Sequence, residues 1–199
     1  MTAINDKVYN IKHEGETVII CGSAPCLIKE FEEVRKHRPA AKVMAINEAV
    51  AGVYADFLVS YHAEKFSYFK SLSLNKEVPT HTGKSRREEE EKLVDYYWSE
   101  IWIGATSAGD AIQIALKMNF AEIIMVGCPM NGGDGYFRKT DTGGICPRFG
   151  APATLLGENA DMVQVHKNKL LILKSKFDFS RVKSMSGFTA QVFGKPQWS

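Results

Sequence analysis

Short apolar runs alternate along the chain with longer segments in which apolar residues recur every three or four positions. "TVIIC" (17–21), "KVMAI" (42–46), "DFLVS" (56–60), "EIWIG" (100–104) and "AEIIMVG" (121–127) each read as a short buried strand. Between the first two, Leu27, Phe31 and Val34 fall at helical spacing behind Pro25, a residue suited to a helix's first turn. "EAVAGVY" (48–54) is a small helical piece, "HAEKFSYFKSL" (62–72) an amphipathic segment, and "VPTHTG" (78–83) a short edge strand or loop. The run "RREEEEKLVDYYW" (86–98) reads as a solvated helix with Leu93, Tyr96 and Tyr97 on one face. In "ATSAGDAIQIALKMN" (105–119), Ala111, Ile114, Ala115 and Met118 form an apolar stripe, with Asp110, Gln113 and Lys117 opposite. "KLLILKS" (169–175) reads as a late strand and "SGFTAQVFG" (186–194) as a final short helix or turn.

Strands and helices alternating at this spacing imply an α/β domain, a mostly parallel sheet of about five or six strands wound on both faces. Residues 128–157 break every period and hold seven glycines. A loop this long inside a compact domain is a candidate lid.

Composition narrows the picture. With 199 residues, 45% apolar and 24% charged, the chain suits one soluble globular domain. The net charge of +2 gives no support for nucleic-acid binding or a polybasic membrane contact. No apolar run is long enough to span a bilayer and "MTAINDKVYN" lacks a signal-peptide core, so a cytoplasmic protein is expected. Cys21, Cys26, Cys128 and Cys146 form no C-x-x-C pair and read as free thiols.

In an open parallel sheet, ligands bind outside the carboxyl ends of the strands, where the winding direction reverses. Three small-residue turns are expected to converge there: Gly22-Ser23-Ala24-Pro25, Gly104-Ala105-Thr106-Ser107 and Gly127-Cys128-Pro129. Two of them feed helix starts, whose free N–H groups and dipole favour an anion. The competing reading is that any α/β protein needs small residues at such joints.

"VIICGSAPCL" (18–27) resembles the G-x-G-P-S-L turn of the bacterial CMP-sialic-acid sialyltransferases and of the related flagellin-glycosylation and hydroxymethylpterin-diphosphokinase-like domains. "AINEAV" is similar to their second strand, which ends in Asn, here Asn47, and "ADFLVSYHAEKF" to their third. "ATSAGDAIQIALKMNFAEIIMVGCPM" resembles their T-S-G-x-x-A-L-Q-L-A helix and the strand after it. These segments span most of residues 16–130. The resemblance implies a single Rossmann-like domain holding a nucleotide over the first and fourth joints, with a histidine as base. The chain departs from the pattern at Ala24, Cys26, Ala108 and Pro129. An added methyl at a turn limits positive φ and the close approach of backbone to phosphate.

The candidate nucleotide-binding residues are therefore Gly22, Ser23, Ala24, Asn47, Thr106, Ser107, Ala108 and Asn131. His166 and His62 are the candidate bases, since glycosyl transfer needs a histidine of near-neutral pKa at the acceptor hydroxyl. The bland alternatives are a surface histidine beside lysines for His166 and a helix-start residue for His62. His81 with Lys84, Arg86 and Arg87 forms either a phosphate clamp or solvated loop charge. Asp134 in the lid is a weak metal candidate, a flexible turn being the other reading. The leading expectation is a CMP-sugar-type glycosyltransferase with no cofactor beyond its nucleotide-sugar donor, with room for self-association into a homo-oligomer. A diphosphokinase-like phosphoryl transferase and a non-catalytic nucleotide- or metabolite-binding protein are the alternatives.

Overall fold

The β-branched and small apolar residues of the first run form β1 (Thr17–Cys21), whose side chains alternate between two cores. Val18 and Ile20 enter one face of the sheet, Ile19 and Cys21 the other, and all four are fully buried. A computed structural model describes the protein over residues 9–83, 92–101, 106–131, 137–139, 145–147 and 153–198, with side chains except between 132 and 163.

In chain order the elements are β1, α1 (Leu27–His37), β2 (Lys42–Ile46), a 3-10 turn at Asn47–Ala51 and β3 (Phe57–Val59). A second 3-10 turn (Ala63–Lys65), α2 (Phe66–Leu72), β4 (Thr80–Gly83) and β5 (Tyr96–Trp98) follow. Then come α3 (Ser107–Lys117), β6 (Glu122–Val126), β7 (Phe137–Lys139), β8 (Ile145–Pro147), α4 (Ala153–Lys176), β9 (Val182–Ser184) and α5 (Gly187–Phe193). Among the described residues, seven strands form one sheet in the order β5-β4-β3-β2-β1-β6-β9, every pairing parallel. Residues of α1, α2 and the first 3-10 turn pack on one face, and those of α3, α4 and α5 on the other. The fold is α/β, doubly wound and Rossmann-like. No helix among the described residues is long and apolar enough to cross a membrane.

Several expectations change. The main sheet has seven strands rather than five or six, and "VPTHTG" supplies an interior strand, β4, between β3 and β5. Tyr96 and Tyr97 lie on a strand, not one face of a helix; Tyr96 meets the ring of His81 while Tyr97 packs on the opposite core. Aromatic side chains on a pleated surface outweighed the helical spacing there. In "EIWIG" the described residues, Glu100 and Ile101, lie outside the strand. "KLLILKS" belongs to α4: Leu170 and Leu173 are buried three apart, while Leu171 and Ile172 remain 46% and 45% exposed. The polar side expected for α3 is buried too, Asp110 and Gln113 being 3% and 4% exposed. Within the expected lid, β7 and β8 pair as an antiparallel hairpin, and β7 lies alongside the 3-10 turn at Asn47–Ala51.

The strand order reverses between β1 and β6. The carboxyl ends of β1, β2, β3 and β6 therefore frame the crevice where such folds bind ligands.

Candidate functional site

The β1 and β6 ends are stitched to each other. The Gly22 amide donates to Val126 O at 2.8 Å and the Ala24 amide to Gly127 O at 3.0 Å. Glu30, in the first turn of α1, accepts the Gly127 amide on Oε2 at 2.8 Å. A Cβ added to Gly22 would stand 2.3 Å from Cys128 Sγ. The corner where an anion was expected thus holds the protein's own carboxylate and thiol.

Beside it opens a cleft of about 320 Å³ lined by Pro25, Cys26, Glu30, Pro129, Asn131 and Ser186. Burial, and then the Glu30 carboxylate, push the Cys26 thiol up to about 11. Burial raises Cys128 to about 12, with Glu30 again adding to it. The first turn of α5 closes the far wall: Phe188 N–H donates to Pro129 O and Asn131 Oδ1, and Thr189 Oγ1 to Cys128 O. We expect Glu30→Gln, which keeps an acceptor for Gly127 but removes the charge, to speed the reaction of Cys26 with a neutral disulfide reagent roughly fivefold at pH 8. An unchanged thiol reaction rate would show that burial alone sets this group.

The second corner is described from Thr106 onward. Thr106 caps α3, its Oγ1 accepting the Gly109 amide at 3.1 Å, and Ser107 Oγ accepts the Tyr61 amide at 3.2 Å. That bond ties the helix start to the end of β3. The amides of Ser107 and Ala108 have no partner among the described residues. Between the two corners stands Asn47, at the end of β2 with φ 52°. Its side-chain Oδ1 is buried and accepts no hydrogen bond among the described residues. The ends of β1 and β3 flank it roughly 10 Å apart, two strand spacings.

Of the two candidate bases, His62 is 48% exposed and pairs through Nδ1 with Glu64 at 3.2 Å. His166 lies within α4 rather than before a strand. Burial, and then Lys169, hold it below the ordinary histidine value. Its neighbour Lys167 sits 5.0 Å over the Phe188 ring, and Phe188 bonds Asn131, so this part of α4 lies beside the first turn of α5. Gly22, Ser23, Ala24 and Asn131 gather at the first corner, and Thr106, Ser107 and Ala108 with the Tyr61–His62 turn at the second.

His81 is not a clamp residue. It is fully buried in β4, and burial holds it down at about 3. Its expected companions Lys84, Arg86 and Arg87, and the metal candidate Asp134, lie outside the described residues. Sequence reasoning missed Glu30 and Asp110. An acidic residue in the first turn after a glycine corner was the available sign for Glu30. Asp110 falls opposite the apolar stripe of α3, and burial on both sides of that helix hides it from a reading of the sequence.

No protein-family model matches the chain, and no curated protein matches it.

Proposed function

We propose that this crevice binds a nucleotide sugar of the CMP type and that the protein transfers the sugar to a hydroxyl acceptor. Asn47 carries the reading: a buried amide oxygen with no partner among the described residues, on left-handed backbone at a strand's carboxyl end, is a group kept for a ligand donor. The amides of Ser107 and Ala108, at the positive end of α3 and without a partner among the described residues, receive the nucleotide phosphate. Gly22, Ser23 and Ala24 line the neighbouring wall, and the β7–β8 hairpin beside Asn47 is suited to covering the bound donor. His166, neutral at pH 7, takes the proton of the acceptor hydroxyl, and His62 is the second candidate.

Incubation with CMP-sialic acid tests the activity. The expected result is release of CMP, slowed at least 100-fold in His166→Asn. The absence of CMP release from a protein that binds CMP would overturn the transferase. Glu30, seated where an anion would otherwise sit, favours that second reading, a binding protein without catalysis.

A further inference from the structure

Two polar groups without a partner among the described residues lie on one face of β4. Asp110, in α3, is 3% exposed, and its Oδ2 lies 3.1 Å from the point a Cβ on Gly83 would occupy. The missing side chain of Gly83, the last residue of β4, makes the room for this carboxyl, with Ile101 as the other wall. No hydrogen bond or ion pair engages the carboxyl among the described residues. Two positions earlier on the same face, His81 is fully buried. Its Nδ1 accepts the Trp98 indole N–H at 3.2 Å, so the proton sits on Nε2, and that atom is buried with no partner among the described residues. Native interiors leave few such groups; those they leave are met by water or ligand.

We propose that Asp110 is a ligand-binding residue whose carboxyl accepts a hydrogen bond from a hydroxyl or amino group of the small molecule held in the crevice. It stands three and two residues beyond the amides of Ser107 and Ala108, about 3–5 Å along the helix axis. A molecule anchored by a phosphate on those amides brings its next polar group to Asp110. This rests on the nucleotide reading, and it adds a recognition group that neither the small-residue turns nor the histidines supply. Hydroxyl- and amino-bearing ligands gain from an unpaired carboxyl; a ligand presenting only acceptors there is rejected.

The test measures CMP binding by calorimetry, and thermal unfolding of the ligand-free protein, for wild type, Asp110→Asn and Asp110→Ala at pH 8. Binding is expected to weaken at least tenfold in Asp110→Ala and by a smaller factor in Asp110→Asn. Ligand-free Asp110→Asn is expected to melt higher than wild type, because no native contact is lost. CMP binding equal in all three proteins overturns the role of Asp110 while leaving the nucleotide reading standing. If wild type binds no CMP, that reading fails, and the melting decides Asp110 alone: a higher melting temperature supports a carboxyl kept unpaired for a ligand, a lower one overturns it.

Discussion

Asp110→Asn is expected to stabilise the protein by about 4 kcal/mol at pH 8 and hardly at all at pH 4. Burial raises the Asp110 carboxyl from 3.8 to about 7. Its contribution is fully present below pH 4 and is lost as the pH climbs through 7, because the folded protein holds the proton more tightly than the unfolded chain. His81 works in the opposite sense. Its imidazole falls from 6.5 to about 3. The stability that comes from keeping it neutral is complete above pH 6.5 and is lost as the pH falls toward 3, a span of roughly 5 kcal/mol. The two titrations overlap between about pH 4 and pH 6.5 and nearly cancel there. Urea unfolding across that range should therefore show stability rising with pH more steeply in Asp110→Asn than in wild type. In His81→Asn it should fall relative to wild type, whatever that variant costs overall. Other carboxylates, such as Asp95 with its bonds from Thr80 and Lys70, titrate alike in every background, so differences from wild type isolate the pair. Parallel pH profiles in all three proteins would mean that neither group is buried as described.

Gly127→Ala should be strongly destabilising. Gly127 has φ +62°, and an added Cβ would stand 2.5 Å from Gly22 O and 2.9 Å from Leu27 Cβ. One neighbour is backbone and the other the stem of a buried helix residue, so neither yields cheaply. Left-handed strain adds about 1–2 kcal/mol to the overlap, and a total loss of roughly 3–5 kcal/mol follows. Gly15→Ala is the control: φ is +77° but nothing lies within 4 Å, and only the conformational part remains. Urea midpoints that fall equally in the two variants would show that the closeness of the β1 and β6 turns carries no weight.

Much of the frame could be read from the chain because central parallel strands are buried on both faces and form unbroken apolar runs. β1, β2 and β6 were each visible in that way. β9 was not: its three residues alternate buried and half-buried, too short a signal to stand out. "KLLILKS" looked like a strand because four apolar residues adjoin, yet two of them face outward from a long helix. At the site, the strand-end turns and Asn47 were legible as small residues and a lone amide behind apolar runs. Their outcome was not, since whether a corner is open depends on which distant side chain reaches it. Glu30 reaches Gly127 across 97 positions of sequence. Likewise, Asp110 becomes special only because Gly83, far away in sequence, leaves it space.

Calorimetric titration of CMP into wild type and Asn47→Ala tests the proposed crevice most directly. Saturable one-to-one binding by wild type is expected, with at least a tenfold loss in Asn47→Ala, which keeps its fold at a cost of about 1 kcal/mol from its left-handed backbone. Absence of binding to CMP and CDP alike, or equal affinity in the two proteins, would contradict it.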